Sequence, residues 1–482
     1  MLVSLFKSFK LSEIASIVNG YTLGEDVTIS SISTDTRENV EDSLFIPLSG
    51  ENFDGHNFVS DALNKGAVAS LFKKSKISGV MPSGNFLIVE DIQDAMLKFS
   101  LFIRREWGGR TIAITGSAGK TATKDMIHCS LSKRFKVTKS QKSFNNFIGL
   151  TLSILSLKSD SEILILELGT SKPGEIKTLA EHCKPNIGVI TLAGKAHTEG
   201  LGSEEGVFKE KISLFDSILE EKGNVLVFPA DDQRFLEYFE NKNEKVAEKI
   251  GFTDKPVKDT SILDKLDKII TLSDIKVNND KTLIINIDVM EKNYSKTFEL
   301  KVNLLPPHFI RNVLATVSVC YSISPDSINE SILTDFVQPA RRFELRFANE
   351  NIIIDDSYNS NPSSLESAIS SLPQLMRLYK TEKIILVLGD MLELGEIAEE
   401  EHRKIALTSE KYLPKDSVFI LFGKLMELTK YELVKKGFRV MHTNDKNEIA
   451  QYLKEEEKKK NSIIFVKGSR KMGLDEVVDN LI

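Results

Sequence analysis

The strongest constraint on what this chain can fold into is a junction. The apolar run Arg110–Thr115 passes directly into Gly116-Ser117-Ala118-Gly119-Lys120-Thr121, and a helix-compatible stretch follows to about residue 133. Strand, glycine turn and helix in immediate succession open a β–α unit, because glycine tolerates the tight backbone path between them. Apolar strands recur at 163–168, 186–191 and 224–228, with helix-compatible sequence between several of them. That alternation predicts a largely parallel sheet covered by helices. Residues 280–303 are polar and β-branched and read as antiparallel strands extending this region, ahead of a helix over 309–319.

The alternation restarts after about residue 334, with strands expected at 352–355, 383–389, 417–423, 438–442 and 462–468. The intervening segments are long enough for crossover helices, so a second parallel α/β sheet is expected. Before the junction the elements are shorter: a strand over 42–49, a helix over 57–66, a strand near 86–89, and a helix over 91–105 that stops at Trp107-Gly108-Gly109. The expected fold class is therefore α/β with three domains. These are a small N-terminal α/β domain (1–107), a central P-loop parallel-sheet domain (108–333) and a C-terminal Rossmann-like domain (334–482).

Composition narrows the function classes. With 63 basic and 69 acidic residues and a net charge of -6, the chain has no broad electrostatic footprint for nucleic acid, and none is expected as a partner. Cys129, Cys183 and Cys320 form no CxxC pair, which argues against a disulfide framework or a cysteine zinc site and fits a reducing cytoplasm. The start lacks a signal-peptide pattern, and no run of about 18 uncharged apolar residues offers a transmembrane segment. A soluble cytoplasmic protein, monomeric and able to rotate its terminal domains, is the expectation.

The glycine loop is the clearest chemical signal. Its amides can cradle phosphate oxygens, Lys120 supplies a point charge, and the Thr121 hydroxyl can help ligate Mg2+. ATP binding is the direct reading; the glycine spacing is shorter than in the longer phosphate-loop form, and a structural turn is the alternative. Glu167 closes the apolar run ILILE, where a strand-end carboxylate can serve a hard metal ion or its bound water, or simply be a solvated acid. His197 follows in the next loop as a second metal-side candidate. Lys209 and Lys211 lie two apart in a helix-like segment and so face different ways, and spacing alone does not choose between them.

Longer motifs accompany these: DDSYNSNP at 355–362, GDMLELG at 389–395, STDTR at 33–37, FDGH at 53–56 and VKGSRKMG at 466–473. Through them the chain resembles, over essentially its whole length, the ATP-dependent peptidoglycan amino-acid ligase family. The resemblance implies joining of D-alanyl-D-alanine to UDP-N-acetylmuramoyl-tripeptide through an acyl phosphate, with ATP as cosubstrate and Mg2+. It implies that Ser33, Arg37, Asp54, Gly55 and His56 hold the nucleotide sugar, and that residues 116–121 hold the ATP phosphates. Asn145 and Asn146 lie near the central substrate site, Asn312 recognises the base, and Asp356 organises the ATP site.

The resemblance further implies that Glu167, His197 and a carbamylated Lys211 join Thr121 around the metal, while Arg342 reaches ATP phosphate across domains. Lys120, Glu167, His197, Lys211 and Arg342 are thus the expected catalytic set. Tyr358, Asn359 and Asn361 would make amino-substrate or interdomain contacts, and Lys467 and Arg470 would close over substrate. The chain departs from the family pattern at Thr191 and Thr198, where asparagine and leucine are common, and in lacking the proline of an IGxP turn after Gly149. Other peptidoglycan or folylpolyglutamate-type ligases, and an ATP-gated assembly module, are the alternatives.

Overall fold

The computed structural model describes all residues except 1, 51–52, 78–80, 142–143, 195–197, 220–221, 241–246, 258–259, 279–281, 303–305, 307–308, 339, 349–350, 458–460 and 482. Two compact units alternate along the chain. Met1–Ile114, Leu131–Gly169 and Lys177–Gly188 make the first, and Thr115–Ser130, Thr170–Ile176 and Val189–Ile482 the second.

The first unit holds a six-stranded sheet in the spatial order Leu2–Lys10, Thr28–Ser33, Ser43–Phe45, Ala69–Lys73, Phe86–Val89, Tyr21–Leu23. Its four inner strands run parallel and its two edges antiparallel. Every residue of Phe86–Val89 is buried, as expected for a parallel strand covered on both faces. The helix Ile92–Trp107 starts where the Asp91 carboxylate accepts the Gln93 and Asp94 amides, and it stops at Gly108, whose φ of 66° suits glycine. Ile92, Met96, Phe99 and Ile103 recur at helical spacing on its buried face, each worth roughly 1.5–3 kcal/mol when fully removed from water. This helix packs against Phe147–Leu155, a later segment of the same unit. The parallel strands Val137–Lys139, Ile163–Glu167 and Arg110–Thr115 are neighbours in that order.

In the second unit, Val225–Pro229, Glu248–Thr253 and Lys268–Val277 run parallel, and Leu283–Glu291 and Tyr294–Val302 add antiparallel. Leu283, Ile285, Ile287 and Val289 are buried at every second position, the period of a strand with one covered face. A six-stranded sheet follows in the order Glu344–Ala348, Asn351–Asp356, Ser462–Lys467, Lys383–Gly389, Val418–Phe422, Arg439–Thr443. It is parallel except for its first strand. The last strand in sequence, Ser462–Lys467, inserts between two earlier ones, so Asp356, Lys467 and Gly389 end side by side.

The parallel α/β regions and the antiparallel extension match expectation; three local expectations change. The strand expected over 42–49 is only Ser43–Phe45, because the chain turns at Pro47 and pairs again at Ser49–Gly50. The helix expected over 57–66 is a short 3-10 turn, Gly55–Phe58, leading into Val59–Asn64. The Rossmann-like sheet has an antiparallel edge, Glu344–Ala348, absent from the sequence reading.

Candidate active site

The strand Arg110–Thr115 delivers the chain to Gly116, whose φ of 152° and contact with Thr191 leave no room for a Cβ: one would lie 2.0 Å from the Thr191 hydroxyl in an otherwise unchanged backbone. Gly119, at φ 81°, likewise faces Asn312, a buried residue of the helix Ile310–Ile323. Between the glycines the loop is held from outside. Lys120 Nζ donates to Gly116 O at 2.6 Å, and the Thr191 hydroxyl donates to Ala118 O at 2.5 Å. The Ser117 amide donates to Leu192 O at 2.8 Å and its hydroxyl to Gly194 O at 2.6 Å. The helix Lys120–Leu131 follows, so the loop amides and a helix N-terminus share one place, the arrangement that binds phosphate. Thr121 sits in the first turn and is buried.

The helix Glu204–Asp216, capped by the Ser203 hydroxyl accepting the Gly206 amide at 3.0 Å, separates the two candidate lysines. Lys209 is exposed, whereas Lys211 is 2% exposed. Burial and the nearby charge of Lys120 push the Lys211 ammonium down to about 7, against a smaller opposing pull from Glu210. Glu210 itself is buried and accepts the Gly174 amide at 2.7 Å, the Ile176 amide at 2.8 Å and the Thr170 hydroxyl at 3.2 Å. It ties down the segment that follows Glu167-Leu168-Gly169 in sequence. Sequence reasoning missed it, since a glutamate between two lysines looks like a solvated face; the GTSKPG loop in need of a partner was the available signal.

Glu167 ends its strand 2% exposed. Asn145 donates from Nδ2 to its carboxylate at 3.4 Å and accepts the Gly169 amide on its backbone oxygen at 2.8 Å. Asn146 instead caps the helix Phe147–Leu155, its Oδ1 accepting the Gly149 amide at 2.9 Å. His197 lies outside the described residues. Glu167 and Thr121 offer oxygen donors, the chemistry Mg2+ prefers, and this ion usually keeps waters and substrate phosphates rather than a full protein cage. No group of three His, Cys, Asp or Glu side chains suited to a metal occurs among the described residues.

Toward the C-terminus, the Arg342 guanidinium stacks 4.0 Å from the Tyr358 ring centre, with Arg470 at 5.8 Å from the same ring. Lys467 is buried, pairs with Asp356 at 2.6 Å and donates to Asn359 O at 3.0 Å. Burial raises the Asp356 carboxyl above its ordinary value against the pull of Lys467. Asn361 caps the helix Pro362–Tyr379 and also donates to Ser117 O at 3.1 Å. The structure therefore gathers the phosphate loop, Asn312 and Asn361 in one place, and Arg342, Asp356, Tyr358, Asn359, Lys467 and Arg470 in another.

The N-terminal candidates all lie in the first unit, where Asp54, Gly55 and His56 come together and Arg37 is held apart by Asp35. Asp54 pairs with Lys76 and contacts His56 Nδ1 at 3.0 Å, while His56 Nε2 accepts the Lys73 amide at 3.2 Å. The Lys76 ammonium holds the Asp54 carboxyl well below the usual range, and burial lowers His56. Gly55 is wedged against the Leu48 backbone, Ser33 is fully buried, and Arg37 is exposed and bonded to Asp35 at 2.6 Å.

Comparison with known proteins identifies the family. The Mur ligase middle domain matches residues 114–320, the glutamate ligase domain of Mur ligases residues 341–470, and the Mur ligase family catalytic domain residues 28–99. A UDP-N-acetylmuramoyl-tripeptide–D-alanyl-D-alanine ligase of Bacillus subtilis (strain 168) is 32% identical, covering 98% of both chains. The chain belongs to the Mur ligase family. A ligase of the same name in Escherichia coli (strain K12) is 29% identical, covering 98% of both chains. Among solved structures, a MurF of Acinetobacter baumannii superposes with a TM-score of 0.82, covering 99% of each chain at 22% identity. A MurF ligase of Thermotoga maritima in complex with ADP gives 0.74, covering 93% of this chain and 96% of the other at 23% identity. The three-domain α/β architecture of the family is thus the architecture of this chain.

Proposed function

We propose that this Mur ligase joins D-alanyl-D-alanine to UDP-N-acetylmuramoyl-tripeptide at the expense of ATP, yielding UDP-N-acetylmuramoyl-pentapeptide, ADP and phosphate. The observation that carries the reading is the full-length likeness to ligases named for that activity. The terminal carboxylate of the tripeptide attacks the γ-phosphorus, the bond to the ADP oxygen breaks, and an acyl phosphate forms. The dipeptide amine then attacks the acyl carbon, phosphate leaves, and the amine gives up a proton.

Each site residue has a role in this scheme. The amides of residues 118–121 and the Lys120 ammonium hold and neutralise the phosphates, with Asn312 at the nucleotide, while the Ser117 amide is committed to Leu192 O. Arg342 adds positive charge from the C-terminal region, where Asp356 and Lys467 form a fixed buried pair. Thr121, Glu167, His197 and Lys211 are the residues that would hold Mg2+, which when bound offsets the negative charge of the transferring phosphoryl group. An amine pushed down to about 7 is substantially uncharged at neutral pH, which supports attack of the Lys211 nitrogen on CO2 to form a carbamate, the nitrogen giving up a proton to solvent. Ser33, Arg37, Asp54, Gly55 and His56 hold the nucleotide sugar, with Asn145 nearer the reacting end. A cytoplasmic monomer completes the reading; no described helix is long and apolar enough to cross a membrane.

The deciding experiment incubates the protein with ATP, Mg2+, D-alanyl-D-alanine and UDP-N-acetylmuramoyl-tripeptide ending in either diaminopimelate or lysine. Pentapeptide detected by mass spectrometry only in the complete mixture is the expected result. A folded, ATP-binding protein that makes product from neither tripeptide would overturn the assignment.

A further inference from the structure

Three successive carbonyls of the phosphate loop each accept a side-chain hydrogen bond, two of them from outside the loop. Gly116 O takes Lys120 Nζ at 2.6 Å, Ser117 O takes Asn361 Nδ2 at 3.1 Å and Ala118 O takes the Thr191 hydroxyl at 2.5 Å. The C=O of one residue and the N–H of the next belong to one rigid plane and point in opposite directions. Holding the Ser117 carbonyl on one side therefore aims the Ala118 amide toward the other, and a phosphate loop binds through its amides. Lys120 is part of the loop's own helix, and Thr191 directly follows the strand Ile187–Ile190. The donor to Ser117 comes from 244 residues farther along the chain.

Both ends of the Asn361 amide are committed. Its Oδ1 accepts the Ser364 amide at 2.8 Å, capping Pro362–Tyr379, while its backbone amide donates to the Ser364 hydroxyl at 3.2 Å. Ser363, one residue beyond Pro362, lies against Gly194, the residue that also grips the Ser117 hydroxyl. Ser117 is thus held by its amide, its hydroxyl and, through Asn361, its carbonyl. With its acceptor in the cap and a donor in the loop, the side chain is arranged to shape the loop rather than to read a substrate.

We propose that Asn361 is a positioning residue for nucleotide binding: it completes the phosphate loop from the C-terminal region, so that seating of the helix Pro362–Tyr379 and binding of the ATP phosphates favour one another. The proposal goes beyond the ligase reading, and its binding arm does not depend on that reading.

Asn361→Asp separates the two jobs. Aspartate caps a helix as well as asparagine and can still accept the Ser364 amide, but it presents an oxygen to Ser117 O where asparagine presents an N–H. Asn361→Ser also keeps a capping oxygen and is too short to reach the loop. Binding of ADP with Mg2+, measured calorimetrically, is expected to weaken about tenfold in both variants while the unfolding midpoint stays near wild type. In turnover assays the KM for ATP should rise by a similar factor and the KM for D-alanyl-D-alanine should stay within about twofold. Wild-type ADP affinity in either folded variant, or a rise confined to the dipeptide KM, would overturn the proposal. The calorimetric result decides it even if the protein proves to make no pentapeptide.

Discussion

Lys211 and Lys467 are buried to nearly the same depth, 2% and 3% exposed, yet their surroundings differ in one respect. Lys467 ends a parallel strand beside Asp356 and pairs with it at 2.6 Å. Lys211 forms no ion pair with a carboxylate among the described residues; the adjacent Glu210 carboxylate is committed to Gly174, Ile176 and Thr170 instead. Burial disfavours charge in both places, and only a counter-charge at contact distance offsets it. Lys467 is held in a fixed pair with Asp356. Lys211 is driven toward the uncharged amine and so becomes available for chemistry. His182 belongs to the second kind: it is buried, bonds the Ser100 hydroxyl through Nε2 at 2.7 Å, lies beside the Phe147 ring, and is lowered to about 4 by burial.

The contrast can be broken by exchanging what each lysine lacks. Lys211→Ala is expected to cut ligase turnover by about a thousandfold, with Lys209→Ala, exposed on the other face, within about twofold of wild type. Steady-state ADP release checks this, and equal losses in the two variants would end the distinction. Lys467→Met should act on stability, costing about 3–5 kcal/mol in urea unfolding because Asp356 is left buried without its partner. Adding Asp356→Asn should recover most of that loss; failure to recover it would mean that the pair is not what Lys467 contributes.

The smallest effect concerns pH. A histidine whose folded value lies near 4, below an unfolded value of 6.5, contributes stability that is fully present above 6.5 and is lost as pH falls through 4. Between pH 7 and 4, wild type should therefore lose about 2–3 kcal/mol more than His182→Gln, a variant that can still bond Ser100 but does not titrate there. Parallel pH profiles for the two proteins would show that His182 is not buried uncharged.

The parallel sheets were legible because their strands are continuous apolar runs, as in Ile163–Glu167 and Lys383–Gly389. The N-terminal sheet was legible only in outline. Leu2–Lys10 alternates as a strand should, but its pairing with Thr28–Ser33 shifts register between Ser4 and Phe9, and Thr28–Ser33 is half serine. At the candidate site the glycine loop announced itself, since Gly116 and Gly119 hold positive φ against Thr191 and Asn312. Asn146 was read as a substrate-site residue, yet its side chain caps Phe147–Leu155; an asparagine ahead of the apolar run FIGLTLSIL was the signal for that cap. Glu210 and the burial of Lys467 were not legible, because each depends on which distant backbone or carboxylate comes alongside. Thr191 read as a departure from the family pattern, and in the fold its hydroxyl supplies a bond to the phosphate loop.

The alternation of the two units along the chain bears on how the protein is made. The helix Ile92–Trp107 packs against Leu11–Val18, made before it, and against Phe147–Leu155, made after it, and the first unit ends only at Gly188. When Trp107 has been synthesised, the part of the helix that meets Phe147–Leu155 lacks its later partner, and at typical elongation rates several seconds pass before that segment follows. A nascent chain in that interval exposes the kind of surface that chaperones hold, and a fragment cut at Trp107 would carry the same exposed face permanently.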